Sequence, residues 1–175
     1  MTGDVLPDEA IDHETAAPAA KRDLRLWLRL LTCVSLIETE IRTRLRVGFD
    51  TTLPRFDFLA ALHKAPEPLS MGELSRRLMV SNGNITGVAE RLVGEGLVRR
   101  FRSPDDRRTQ YVELTPAGRT EFERMAREHE GWVAQAFADL SDREADRLME
   151  LLAKAKLSVR RNLAVKGEPP REGMS

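Results

Sequence analysis

Apolar residues recur at three- and four-residue steps over much of this chain, and that spacing marks out helices. Between about Asp23 and Val47, Trp27, Leu30, Leu31, Val34, Ile37, Ile41 and Leu45 fall on one side of a helix. The pattern breaks at GFDTTLP, where Pro54 suits the first turn of a second helix carrying Phe56, Leu59, Ala60 and Leu62. That helix ends before Pro66. Ser70 and Glu73 form a capping-box pattern that opens the short helix MGELSRRL, with Leu74 and Leu78 inward. After the turn MVS, Ser81 caps a fourth helix, and Gly96 suits the left-handed position that ends it.

The period then changes. LVRRFRS and TQYVELT read as two strands joined by the polar turn PDDRR. Thr115 and Pro116 start a helix bearing Phe122, Met125, His129, Trp132, Val133 and Phe137. Ser141 opens a last one with Leu148, Leu151, Leu152, Ala155 and Val159 on one side. Two short helices around a tight turn, followed by a ribbon, make a winged helix-turn-helix. The expected fold is therefore mainly α with a small two- or three-stranded β wing. Its winged helix-turn-helix spans about 53–118, between long dimerisation helices at about 23–47 and 119–163. The apolar sides of those long helices exceed what one small module covers, so a symmetric homodimer is expected.

Charge enters this picture locally. The chain carries 28 basic and 28 acidic residues, so its overall balance favours no class of partner. Between Arg76 and Gln110, however, eight arginines (Arg76, Arg77, Arg91, Arg99, Arg100, Arg102, Arg107 and Arg108) face four acids. The arginine fork suits phosphate oxygens, with a solvated charged face as the plain alternative. Residues 1–20 are acidic and lack the basic start and apolar run of a secretory signal; with 166–175 they read as flexible tails around a domain at 21–165. One cysteine excludes an internal disulfide and fits a cytoplasmic setting, and no apolar run approaches the ~20 residues of a membrane span.

The helix after Ser81 begins SNGNITG, two asparagines and two glycines where good helix formers belong. Each glycine costs roughly 0.8–1 kcal/mol against alanine. With Ile85, Val88, Ala89 and Leu92 inward, steps of ~100° place Gly83, Gly87 and Glu90 outward. Asn84 and Arg91 then share one flank, Thr86 the other, and Asn82 stands near the exposed first turn. An outward surface bare of side chains lets a helix backbone approach a partner closely, and a helix fits the major groove of B-DNA, where asparagine reads adenine. The alternative is a frayed cap segment. SPDDRRTQ is likewise either a plain turn or a wing tip that sends Arg107 or Arg108 into a minor groove.

LSRRLMVSNGNITGVAERLVGEGLVRR, with the DDRRTQYVELTPAG that follows it, resembles the MarR family of dimeric transcriptional regulators. The matching features are the helix after Ser81, the Gly-Leu-Val-Arg exit, Asp106 and Arg108 in the wing, and the Leu-Thr-x-x-Gly close at Leu114–Gly118. With the flanking helices, the resemblance covers about 23–163. It implies a homodimer that binds a palindromic DNA operator, as repressor or activator, and is released by a small effector. Repression is the commoner mode in the family. Asn82, Asn84, Thr86 and Arg91 match the positions facing the major groove, and Arg108 the minor groove. Gly83 and Gly87 depart from the family, where polar or basic side chains are commoner. In relatives the effector lies between the dimerisation helices and the DNA-binding module, which makes Trp27, Arg29, Leu30, His63 and Trp132 the candidates here. Two tryptophans with arginines nearby suit an aromatic acid or its CoA thioester, against a plain core role for both.

Other chemistries find little support. There is no phosphate loop, nucleophile elbow or paired His/carboxylate spacing, so an enzyme is not expected. His13, His63 and His129 are scattered, and one cysteine makes no thiolate cluster, so neither metal nor cofactor is expected. Cys33, between Leu31 and Val34, reads as a buried inert thiol; a cysteine-based redox-sensing regulator is the alternative. A winged-helix module that only binds protein is the competing reading from another class.

Overall fold

The structure, a computed structural model, describes residues 21–102 and 109–164, without the side chain of Asn82. Arg107 and Arg108, the wing tip and both tails lie outside the described residues. In chain order the elements are α1 (Arg22–Phe49), α2 (Leu53–Lys64), β1 (Leu69–Ser70), α3 (Met71–Leu78), α4 (Asn82–Gly94), β2 (Val98–Arg102), β3 (Gln110–Leu114), α5 (Pro116–Ala136) and α6 (Asp142–Ala164). This is the expected helical fold with a small antiparallel wing, here of three strands in the order β1-β3-β2. The register pairs Leu69 with Val112, Val98 with Leu114 and Arg102 with Gln110.

The chain forms two compact units, one up to Trp132 and one from Val133. The core of the first is made by Phe56, Phe58, Leu59 and Leu62 of α2, with Leu74, Ile85, Ala89, Leu92, Val98 and Val112 around them. Ile41 and Leu45 of α1 and Phe122 and Met125 of α5 are buried too. Four buried residues on a twelve-residue α2 put apolar contact on several sides of it, which explains why a single apolar stripe does not include Phe58.

Local chemistry sets the boundaries. Ser70 and Glu73 close a reciprocal capping box, with Ser70 N–H and Oγ donating to Glu73 Oε2 at 2.9 and 2.7 Å. Gly96 adopts φ 71°, as its place after α4 requires. Thr115 accepts the Gly118 N–H at 3.0 Å while its hydroxyl donates to the Gly96 carbonyl at 2.7 Å. A Cβ on Gly118 would lie 1.8 Å from the Leu97 carbonyl oxygen, so the crossing of α5 over the start of β2 admits only glycine.

The early part of α1 is bare in this chain: Trp27 is 58% exposed, and Leu24, Leu26, Val34 and Leu36 are exposed with it. Cys33 stands among them and is exposed, where the sequence pattern expects burial. The second unit carries α6, whose Leu148, Met149, Leu151, Leu152, Leu157, Val159 and Leu163 are also exposed. Phe137 falls just past the end of α5 and is exposed, not part of that helix's apolar side.

Candidate nucleic-acid interface

The turn between α3 and α4 is tightly made. Met79 takes a left-handed conformation, φ 54°, and its N–H and that of Val80 close back on the end of α3. Ser75 Oγ donates to the Val80 carbonyl at 2.6 Å, and Ser81 Oγ accepts the Asn84 N–H at 3.4 Å to cap α4. Ile85, Ala89 and Leu92 are buried and Val88 is half-buried, which fixes the rotation of α4 about its axis. A second restraint comes from α2, where Arg55 pairs with Glu95 at the C-cap of α4.

That rotation puts Gly83, Asn84, Gly87, Glu90 and Arg91 on the exposed side, as the helical wheel expects. Thr86, on the opposite flank from Asn84 and Arg91, is half-buried. Arg76 and Arg77 are exposed in the last turn of α3. Ser81 is exposed at the cap. The structure therefore gathers Arg76, Arg77, Ser81, Asn84, Thr86 and Arg91 on one helix-turn-helix, and Asn82 supplies the first backbone residue of α4.

A cleft of about 410 Å³ runs along the glycine-bearing flank of α4. Gly83, Asn84, Gly87, Val88 and Arg91 form one wall, and Pro54, Asp57 and Phe58 of α2 with Leu78 and Val80 form the other. A Cβ on Gly83 or Gly87 would meet no atom within 4 Å, so both glycines keep open space at the helix surface. Asp57 is half-buried here; burial, and then the Glu38 carboxylate, push its carboxyl above the usual range, while His129 and Arg42 oppose this.

The wing rises from β2 and β3. Arg99 pairs with Glu113 across the strands and lies over the Phe101 ring at 5.8 Å, and Phe101 stacks on Tyr111 with centroids 6.0 Å apart. Arg100 donates to Gln110. These cross-strand contacts stiffen the stem of the wing.

The effector candidates are placed less compactly. Within the first unit an aromatic run passes from His63 to Phe122, Phe56, His129 and Trp132, with neighbouring centroids 4.8–6.4 Å apart. Trp132 also meets Phe49 edge-on and lies under Arg44 at 5.9 Å. His63 Nε2 is 3.4 Å from Glu123 Oε1. His63 and Trp132 thus end one aromatic run, whereas Trp27, Arg29 and Leu30 lie on the early, more open part of α1. The clefts at α4, at the α1–α2 corner and beside Arg55 have other walls. Among the described residues there is no group of three potential metal ligands, and no helix is long and apolar enough to cross a membrane.

Residues 51–109 match the MarR family model. Over 144 residues the chain is 33% identical to YkoM, an uncharacterised HTH-type transcriptional regulator of Bacillus subtilis (strain 168), covering 82% of this chain and 90% of that one. It is 29% identical over 143 residues to the transcriptional activatory protein BadR of Rhodopseudomonas palustris, covering 79% of this chain and 81% of that one. The crystal structure of Sco3205, a MarR family transcriptional regulator from Streptomyces coelicolor in complex with DNA, superposes with a TM-score of 0.71. That match has 25% identity and spans 82% of this chain and 91% of the other. Architecture, helix-turn-helix and relatives agree along most of the chain, which belongs to the MarR family.

Proposed function

We propose that this chain is a homodimeric, DNA-binding transcriptional repressor that a small effector releases from its operator. The observation that carries the reading is the exposed side of α4. A helix held by Ile85, Ala89 and Leu92 presents Asn84, Arg91 and two bare glycines, the surface a major groove accepts. Ser81, Asn82, Asn84, Thr86 and Arg91 are assigned to that groove, Arg76 and Arg77 to phosphates, and Arg107 and Arg108 to the adjacent minor groove. A relative of the same fold, Sco3205, crystallised with DNA, which supports the reading.

The proposed organisation is a winged helix-turn-helix over about 53–118 between dimerisation helices at about 23–47 and 119–163. The exposed apolar residues of α1 and of α6 are then covered by a second copy. Two copies of α4 about 34–36 Å apart enter successive major grooves of a palindromic site. An effector that binds a dimer of different spacing weakens DNA binding by its differential affinity, typically ~1–3 kcal/mol. An aromatic acid or its CoA thioester, held by residues among Trp27, Arg29, Leu30, His63 and Trp132, is the proposed ligand.

The test is fluorescence anisotropy on duplexes selected from a random pool, with light scattering for mass. A dimer whose Arg91→Ala variant loses sequence preference supports the assignment; duplex binding that is absent, or insensitive to salt, identifies a protein-interaction module instead. Thermal-shift hits among aromatic acids and acyl-CoA thioesters that also release DNA identify the effector. BadR is described as an activatory protein, so a promoter reporter in a deletion strain decides the sign: rising output supports repression.

A further inference from the structure

At the corner where α1 ends and α2 begins, a second cleft of about 310 Å³ is walled by Thr39, Arg42, Thr43, Arg46, Thr51 and Thr52, with Leu53 and Pro54 at its edge. No carboxylate among the described residues lines it. Arg42 is held by Glu38 at 2.5 Å, but Arg46 has no ion pair among the described residues. Thr39 and Thr43 donate their hydroxyls to helix carbonyls at 2.7 and 3.0 Å. Thr51 and Thr52 do not. Thr52 is the N-cap of the twelve-residue α2, yet its hydroxyl makes no bond to the first turn, so the positive end of that helix has no side-chain cap. Thr51 is only 7% exposed, and its hydroxyl finds no partner among the described residues. That hydroxyl stands at the wall of the cleft, where a group from outside the chain, water or ligand, completes its hydrogen bonding.

The Arg46 guanidinium, which no described carboxylate pairs, converges with two unengaged hydroxyls and an uncapped helix start, beside an Arg42 already paired with Glu38. We propose that this corner binds a phosphate group. The favoured source is a backbone phosphate of the duplex whose groove receives α4, because Pro54 belongs both to this cleft and to the one along the exposed flank of α4. Under this assignment a phosphate strand leaving that flank continues across the shared Pro54 edge towards Arg46 and Thr52. The neighbouring cleft beside Arg55 offers the contrary electrostatics, with Asp50, Glu95 and Glu121 in its wall. A phosphate carried by a small nucleotide-bearing ligand has the same chemistry and is the other source. The duplex assignment rests on the DNA-binding reading; the phosphate assignment does not.

The experiment measures duplex affinity over a potassium chloride series for the wild type, Arg46→Gln and Arg46→Lys, with thermal melts to verify folding. Each lost phosphate contact flattens the slope of log K against log salt by about 0.9, so Arg46→Gln flattens it by about 1.8 in a dimer. The loss is equal on selected and unrelated duplexes, and Arg46→Lys restores most of the slope. A parallel arm follows the melting temperature of the DNA-free protein against inorganic phosphate and adenosine 3′,5′-bisphosphate at constant ionic strength. Stabilisation by either anion that Arg46→Gln abolishes, with an unchanged duplex slope, supports the phosphate site and assigns it to a small ligand. An unchanged slope together with no Arg46-dependent anion effect overturns the proposal. A wild type that binds no duplex at any salt removes the DNA-binding reading alone, and the anion arm then decides the corner.

Discussion

Replacing Gly87 with alanine separates what α4 needs as a helix from what it needs as an interface. Gly87 lies inside α4, not at its ends, and a Cβ built on it meets no atom within 4 Å. There is no steric term to oppose the gain in helix propensity, about 0.8–1 kcal/mol. In a chain of this length that corresponds to a rise in melting temperature of about 2–4 °C. The methyl group nevertheless stands on the flank shared with Asn84 and Arg91. If the backbone of α4 seats closely in the groove, the methyl lifts Asn84 away from its base, and a bidentate contact of that kind is worth roughly 1–3 kcal/mol. The expected variant is thus more stable and binds its selected duplex about tenfold or more weakly. Urea melts and anisotropy at one salt concentration measure both quantities. Unchanged affinity would falsify close approach at this glycine, and a loss of stability would show that the site is not open.

The same substitution at Gly118 has the opposite sign, because the new Cβ meets the Leu97 carbonyl oxygen at 1.8 Å and the backbone must move; a loss of about 1–3 kcal/mol or more is expected in urea melts. Asp57→Asn tests the half-buried carboxyl beside α4. Its folded pKa is raised, so relative to the unfolded chain the charged form costs stability once pH rises through the folded value, and that cost vanishes below the usual carboxylate range. The variant is therefore more stable than wild type at pH 7 and no more stable at pH 3; a benefit independent of pH excludes the linkage. The pair between Arg55 and Glu95 is asymmetric, since Arg55 is 15% exposed with Nε unpartnered, whereas Glu95 is 43% exposed. Glu95→Ala strands a mostly buried guanidinium, while Arg55→Met keeps the apolar stem and frees a carboxylate that water reaches. Glu95→Ala is expected to be the more destabilising of the two, and equal melting temperatures would refute the burial argument.

Features decided within about four residues of chain are legible in the sequence. Ser70 with Glu73, Ser81, Gly96 and Thr115 with Pro116 each set a boundary through local hydrogen bonding or backbone freedom, and each stands at its expected place in the fold. The rotation of α4 is legible for the same kind of reason, since Ile85, Ala89 and Leu92 leave one way to bury the helix. β1 is not: two residues carry no period, and Leu69 and Ser70 form a strand only because Val112 and Tyr111 pair with them. Gly118 is visible as a motif position, but its cause, the Leu97 carbonyl, comes from a crossing of elements.

The basic residues show the same division. Arg91 sits on the helix whose pattern singles it out, so its exposed flank follows from sequence periodicity. Arg46 looks like one more charged residue on a long helix. Only the turn at Asp50, which takes a left-handed conformation at φ 47°, brings it to the start of α2 beside Thr51 and Thr52. Arg55 pairs with Glu95 across forty residues, a separation at which no local pattern carries a signal. α2 therefore matters more to the interface than its sequence suggests. Pro54 edges both clefts, Asp57 faces the flank of α4, and Arg55 holds its C-cap. α2 thus borders both sites: its start closes the corner whose arginines stand on α1, and its Arg55 and Asp57 meet the C-cap and flank of α4.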